Sequence, residues 1–406
     1  MHLKEDSHVS SPTPLLILAL YLLPFTSLPA ATHVEVPITI ETYPAFHGTS
    51  EWDWAQVRSA HIPSGPGKGW ITTMSLTGKT GTHAFHDIFF TTSENGRTWS
   101  QPQRVSQLKR FKTKDGFEVV PGDLWPSWHP DTGKVLVTGK TFNWEGGKQE
   151  IYLREKVSYS SFDPRTGSWA SLQYLELPER DHSGAPILAA NAGCNQPLVL
   201  QDGNILIPIR YQRSASRRRY TSIVARCSFD GEKLRYLEHG SEHTIEQKRG
   251  FYEPSVGTLN GEFFLTLRSD LTAHVAKGKD GIHFEQEQEW TFDDGRVLGS
   301  YNTQQHFATL GGGLFLIYTR KGANNDHIFR HRAPLFIAQV DTERLQVIRA
   351  SEKVLIRENQ ATLGNSGVCQ LSPNEAWVTC AEGALNRGKR SGESNVVHIA
   401  RIGLAH

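Results

Sequence analysis

The feature that most limits what this chain can fold into is one hairpin plan written six times. "PLVLQDGNILIPIRY" from Pro197, "PSVGTLNGEFFLTLRS" from Pro254, "HFATLGGGLFLIYTR" from His306 and "GVCQLSPNEAWVTCAE" from Gly367 each run apolar strand, turn, apolar strand. "RSAHIPSGPGKGWITTMS" from Arg58 and "PSWHPDTGKVLVTGK" from Pro126 are looser copies. A recurrence of roughly 50 to 70 residues is that of propeller blades. "TTSENGRTWS" (Thr91 to Ser100), "SSFDPRTGSW", "CSFDGEKLRYL", "KGKDGIHF" and "FIAQVDTERLQVI" follow the first five units as a second hairpin or its remnant. After the sixth only "NVVHIARIG" remains, and the apolar "HVEVPITIE" near His33 is placed to complete that blade from the other end of the chain. Closing the ring in this way removes exposed sheet edges. The expected fold is all-β, a single six-bladed β-propeller over residues 32–406. A pair of β-sandwiches is the competing arrangement, and it has no need of six matched hairpins.

Residues 1–31 read as a signal peptide. The apolar core from Leu15 to Leu23 is too short to span a bilayer and suits the h-region of an export signal. The expectation is a secreted or periplasmic monomer without stable membrane insertion. Lys+Arg total 43 against 42 Asp+Glu, which argues against capture of nucleic acid by the charge of the whole protein. Cys194, Cys227, Cys369 and Cys380 have no metal-binding spacing, and no metal or other cofactor is expected. Export permits disulfides, and Cys369 and Cys380 fall on two arms of one hairpin; four buried thiols are the alternative.

"TSENGRTW" (Thr92 to Trp99) is similar to the Asp-box of the sialidase superfamily, Ser/Thr-x-Asp-x-Gly-x-Thr-Trp, with Glu94 in the Asp position. "KGKDGIHF" keeps Gly281 and the aromatic Phe284. Such boxes sit on blade peripheries, so the resemblance implies that Trp99 staples a blade hairpin. Arg58 in "VRSAHIP" resembles a stretched form of the family's Arg-Ile-Pro. "YEPSVGTLNGEFFLTLRSD" supplies Glu253 and Arg268 at matching spacing, and Arg332 in "RHRAPLFIAQVD" resembles a third arginine. The resemblance implies an exported glycoside hydrolase similar to an exo-α-sialidase, cleaving a terminal acidic sugar from a glycan. Arg58, Arg268 and Arg332 would clamp its carboxylate, since guanidinium forks match carboxylates and stay charged. Glu253 would serve as base or activator.

Two positions depart from the family pattern. The family nucleophile is a Tyr, but "LGNSGVCQL" puts Asn365 there, with Tyr252 and Tyr301 as substitutes from other blades. No carboxylate lies between Arg58 and His86, so the acid is sought in "GTHAFHDIFFTTS", at His83, His86 or Asp87.

Counting back from each first turn, independently of any family, puts Gln56, Asp123, Asn195, Glu253, Gln304 and Asn365 at similar heights on the inner strands. Polar side chains are costly in a core strand unless partnered, so such a ring predicts a hydrated, sugar-binding floor. His306 stands beside Gln304, and "KGANNDHIFRHR" concentrates Asn324, Asn325, Asp326, His327, Arg330, His331 and Arg332 nearby. Gln304, His306 and Asn365 are the expected hydroxyl-binding residues. Trp52, Trp54, Trp125 and Trp128 could stack on sugar faces. "RSASRRRY" (Arg213 to Tyr220) reads as a solvated loop, with contact to a polyanion as its alternative. The resemblance to sialidase-like propellers leaves two other functions open. One is β-elimination on uronic-acid polysaccharides, or rhamnose removal, by histidine and tyrosine chemistry. The other is carbohydrate binding without catalysis.

Overall fold

The structure, a computed structural model, describes residues 35–78, 85–145, 152–383 and 394–405. The proposed signal peptide and His83 lie outside the described residues. Six antiparallel-rich sheets follow one another along the chain, one for each repeated hairpin, and form a six-bladed β-propeller. The innermost strands are Trp52–Ile62, Glu118–His129, the short pair Leu188–Asn191 and Leu198–Val199, Tyr252–Leu259, His306–Leu310 and Ser366–Ser372. We number the blades 1 to 6 in that order.

The next strand out in each blade is sandwiched between neighbouring blades and is buried along nearly its whole length. Ile205–Gln212 (ILIPIRYQ) is buried along its whole length, as a strand covered on both faces must be. Outer strands alternate instead. Leu234–His239 turns its first and last residues inward and leaves Arg235, Leu237 and Glu238 exposed. No helix among the described residues is long and apolar enough to cross a membrane.

The ring closes as the two chain ends suggest. Ile38–His47 pairs antiparallel with Val396–Leu404, from Ile38 opposite Leu404 to His47 opposite Val396, and becomes the fourth strand of blade 6. The Glu-Asn-Gly turn of blade 1 locks this seam. Asn95 Oδ1 accepts from the N–H groups of Arg97 and Thr98, and Ser93 Oγ accepts from the Gly96 N–H. Tyr43 on the closing strand donates its hydroxyl to the Gly96 carbonyl at 2.8 Å, and the Arg97 guanidinium lies over the Tyr43 ring. Trp99 meets Phe46 edge-on, and Trp70 of blade 1 stacks on Trp377 of blade 6 with centroids 3.9 Å apart. Trp99 therefore braces the junction between first and last blades as well as its own hairpin.

Gly96 sits at φ +70°, and a Cβ there would lie 2.1 Å from Trp377 Cη2. Gly96→Ala is expected to cost about 2–4 kcal/mol, combining a left-handed alanine with overpacking of the tryptophan pair. Urea unfolding should show a lowered midpoint at unchanged slope.

All four cysteines are free. Cys369 pairs across its hairpin with Trp377, and Cys380 with Ser366, so the two thiols are not cross-strand partners. Cys194, Cys227 and Cys380 are buried and Cys369 is half-buried, so the free-thiol alternative holds with one thiol less buried than expected, and the disulfide expectation does not hold.

Candidate active site

Three innermost strands share a defect at one height. The pairing register slips between Ala55 and Arg58, between Gly122 and Trp125, and between Tyr252 and Ser255. Within each slip one residue takes a left-handed backbone: Gln56 (φ 53°), Asp123 (φ 55°) and Glu253 (φ 49°). A bulge of this kind re-aims a side chain, and all three side chains line a cavity of about 510 Å³ at this end of the ring. Gln304 and Asn365, just before the inner strands of blades 5 and 6, line it too. Of the polar ring expected from the sequence only Asn195 is displaced. Its amide is buried against the Pro208 carbonyl, and Cys194 (φ 66°) takes the place in the lining.

The floor is internally wired. The Asp123 N–H donates to Gln56 Oε1 at 3.0 Å, and Gln304 Nε2 donates to Asn365 Oδ1 at 2.9 Å. Beneath it, Arg58 is fully buried and donates to the carbonyls of Ser366 and Leu124 and to Gln304 Oε1, with its guanidinium beside Trp125. A Cβ on Gly367 would lie 2.4 Å from Arg58 Cγ, which is why glycine stands there. His306 is equally buried, held by Ser255 Oγ and Gln304 Oε1, and burial pushes its pKa down to about 3. Arg58 and His306 therefore support the floor, and neither lines the cavity. This corrects their assignment as ligand-binding residues.

The acid expected near residue 86 is also placed elsewhere. His86 follows Phe85, which lines the cavity, but strand alternation turns His86 away so that it meets the edge of Trp52. Asp87 is taken up by Arg104 and by the Arg110 N–H. Neither lines the cavity, and the structure does not support either as the acid. The tyrosine substitutes are committed as well. Tyr252 is fully buried, its hydroxyl bonded to Asp270, Asn302 and Arg249, and the Tyr301 hydroxyl bonds His331. Among the tryptophans Trp54 lines the cavity, Trp125 lies below the floor beside Arg58 and His306, and Trp128 packs into the core between blades.

The wall is cationic. Among the described residues, Lys140 and six arginines face Asp53, Asp123, Glu253 and Glu382. Arg268 is hydrogen-bonded to Glu253 Oε2 through Nη1 and to Asn302 Oδ1 through Nη2. Arg332 donates to the Asn302 carbonyl at 2.6 Å. The Nε–H groups of Arg268 and Arg332 are buried without an acceptor. Arg330 comes from the long blade 5 loop, where it and His331 both adopt left-handed backbone angles (φ 54° and 53°). Asn325 fastens that loop by donating to the carbonyls of Arg320, His331 and Ala333. Among the described residues no carboxylate pairs with Arg330, whose guanidinium lies over its neighbour Phe329. The arginine trio of the cavity is thus Arg268, Arg330 and Arg332, with Arg330 in place of Arg58.

Electrostatics divides the two central carboxyls. Burial would raise Glu253, but Arg268, Arg210 and Arg332 outweigh it and hold the carboxyl down at about 2. Asp123 goes the other way. Burial raises it, the Glu253 charge adds to that, and Lys140 and Arg58 offset only part. Lys140 Nζ stands 3.9 Å from Asp123 Oδ2, while Oδ1 is buried without a hydrogen-bond partner. Burial, and after it the charges of Arg268 and Arg330, pull Arg332 down to about 9.

No family model and no curated protein matches the chain in sequence. Solved structures are similar to it in fold. A protein of unknown function from Dyadobacter fermentans has a TM-score of 0.60 at 14% identity, covering 90% of this chain and 99% of that one. Trypanosoma rangeli sialidase has a TM-score of 0.60 at 14% identity, covering 86% of this chain and 55% of that one. The NanB sialidase of Streptococcus pneumoniae has a TM-score of 0.58 at 13% identity, covering 88% and 70%. The chain spans about half the length of the trypanosomal protein. These likenesses show the fold: a six-bladed propeller of the sialidase type.

Proposed function

We propose that the protein is a glycoside hydrolase acting on an acidic sugar, with Arg268, Arg330 and Arg332 holding the sugar's anionic group. The observation that carries this reading is the pair of carboxyls in one arginine-walled cavity, Asp123 pushed up and Glu253 held at about 2. A pair whose environments push the two pKa values apart divides naturally into proton donor and charged partner. T. rangeli sialidase, similar in fold, has been solved in complex with sialic acid, which supports an acidic sugar as the ligand.

Asn365 stands where the family resemblance puts the nucleophile, and an amide forms no stable aryl-type glycosyl intermediate. The reading is therefore a single displacement by water. Asp123, protonated on the unpartnered Oδ1, gives its proton to the leaving oxygen as the glycosidic C–O bond breaks. Glu253, with Oε2 engaged by Arg268, turns Oε1 to the incoming water. It takes the water's proton once bond formation has made that proton strongly acidic. Gln56, Gln304 and Asn365 supply amides to sugar hydroxyls.

The test is a panel of methylumbelliferyl sialoside, uronoside and rhamnoside substrates, with ultraviolet detection of unsaturated products. Hydrolysis of an acidic glycoside with the product first formed in the inverted anomer, seen by NMR, is expected. An unsaturated product would replace this reading with β-elimination. On a natural glycoside, whose leaving group needs protonation, the rate should hold on acidification until Glu253 protonates near 2 and fall with rising pH as Asp123 loses its proton. An alkaline side that is flat would remove Asp123 from its role. Asn365 itself favours one other reading, a propeller that binds the sugar without turning it over. Tight binding with no turnover on the panel would establish that instead.

A further inference from the structure

The cationic wall extends past the trio that the proposed reading uses. On the opposite side Lys140 and Arg210 are both engaged with Glu155, at 3.0 and 3.6 Å. Arg218 is different. It comes from the Arg213–Tyr220 stretch between the second and third strands of blade 3, where Arg219 pairs with Glu246. Arg218 lines the cavity, its guanidinium lying 3.2 Å from the centroid of Tyr152, which also lines it. Its Nε donates to Tyr220 Oη at 2.8 Å. No carboxylate among the described residues pairs with Arg218, so its two terminal nitrogens are available to a ligand. A guanidinium stacked on an aromatic ring and fixed through Nε presents a planar two-pronged face, the geometry that binds an oxyanion bidentately.

Two cationic centres without a carboxylate of their own, Arg330 from blade 5 and Arg218 from blade 3, therefore face one cavity with blade 4 between them. We propose that Arg218, braced by Tyr152, is a second anion subsite of this cavity, and that the ligand is a glycan carrying a second oxyanion beside the one held by the Arg268–Arg330–Arg332 trio. The second group is either the carboxylate of the adjoining sugar or a sulfate ester. This inference rests on the acidic-sugar reading and narrows its substrate class to polyanionic glycans.

The experiment is calorimetric titration of the full protein at two salt concentrations. The ligands are N-acetylneuraminate and galacturonate as monoanions, the dimer of each, and an O-sulfated form of each. At least one dianion should bind about tenfold or more tighter than its parent monoanion, as one further charge-assisted bidentate contact implies. That advantage should shrink as salt rises. A gain with the dimer identifies a neighbouring carboxylate, and a gain with the sulfated sugar identifies a sulfate; either supports the subsite. In Arg218→Gln the ratio of dianion to monoanion affinity should fall to near one. Equal affinities in the unmodified protein, or a ratio that survives Arg218→Gln, would overturn the subsite while leaving the acidic-sugar reading intact. Failure of all six ligands to bind would remove that reading and the subsite with it.

Discussion

Asp123→Asn is expected to lower kcat by ~100- to 10,000-fold, the usual contribution of a positioned proton donor, while changing substrate affinity little. The amide has the shape of the acid, so the backbone bonds at this bulge, from the Asp123 N–H to Gln56 and from the Cys194 N–H to the Asp123 carbonyl, stay in place. What is lost is the proton that the proposed role assigns to this carboxyl, whose pKa burial and Glu253 raise. Two further readouts separate this role from a structural one. The alkaline limb of the pH–rate profile should disappear in the variant. Substrates with an activated phenolic leaving group, which needs no protonation, should suffer far less than natural glycosides. An equal loss on both kinds of substrate would mean that Asp123 does something other than donate a proton.

The second large effect is on stability. Arg268→Gln should cost about 3–5 kcal/mol, because removing one partner of a buried ion pair strands the other. Glu253 and Arg268 are both nearly inaccessible, joined through Oε2 and Nη1. The pH dependence has a definite sign. In the native protein Glu253 is held at about 2, below the ordinary carboxylate range, so the stabilisation is complete above that range and is lost as pH falls towards 2. Without Arg268 the desolvation of Glu253 is opposed only by the more distant Arg210 and Arg332, and its pKa rises. The variant should therefore be weakest near neutrality and recover stability on acidification as Glu253 takes up a proton. The double variant Arg268→Gln, Glu253→Gln should recover most of the loss at neutral pH. Chemical denaturation across pH checks both statements, and a deficit independent of pH would contradict the buried-pair account.

The ring was legible because its hairpins repeat, and even the strand that closes it is visible as an apolar stretch near His33 with no partner of its own. Glu253, Gln304 and Asn365 line the cavity at the height that counting back from each first turn gives, while Arg268 and Arg332, which line it too, were reached through their resemblance to a family's arginines. Arg58 and His306 were misread for a physical reason. The bulge at Gln56 inserts one residue into the strand, so the alternation that would point Arg58 into the cavity is reset and its side chain passes under the floor. A bulge leaves no mark in hydrophobic periodicity when the extra residue is itself polar. His306 sits two residues beyond Gln304 and, like Arg58, is held below the floor.

Other members of the site did leave a signal. "KVLVTGK", "NILIPIR" and "EFFLTLR" each end on a basic residue, and Lys140, Arg210 and Arg268 all line the cavity. That recurrence marks the cavity-facing end of the second strand in blades 2, 3 and 4. Arg330 was marked only as one member of the polar "KGANNDHIFRHR" cluster, because its direction is set by two consecutive left-handed residues and by the contacts of Asn325 within a loop.

The account stands on the cavity recognising a negative charge on a sugar, and the direct measurement is a calorimetric comparison of acidic sugars with their uncharged methyl esters. N-acetylneuraminate and galacturonate, each beside its ester, should be titrated into the native protein and into Arg332→Gln. The account predicts that at least one acid binds and that its ester binds about 100-fold more weakly, in line with loss of a charge-assisted bidentate contact from a desolvated site. It also predicts that the substitution narrows this gap. Acid and ester binding with the same affinity, or a gap indifferent to Arg332, would contradict it.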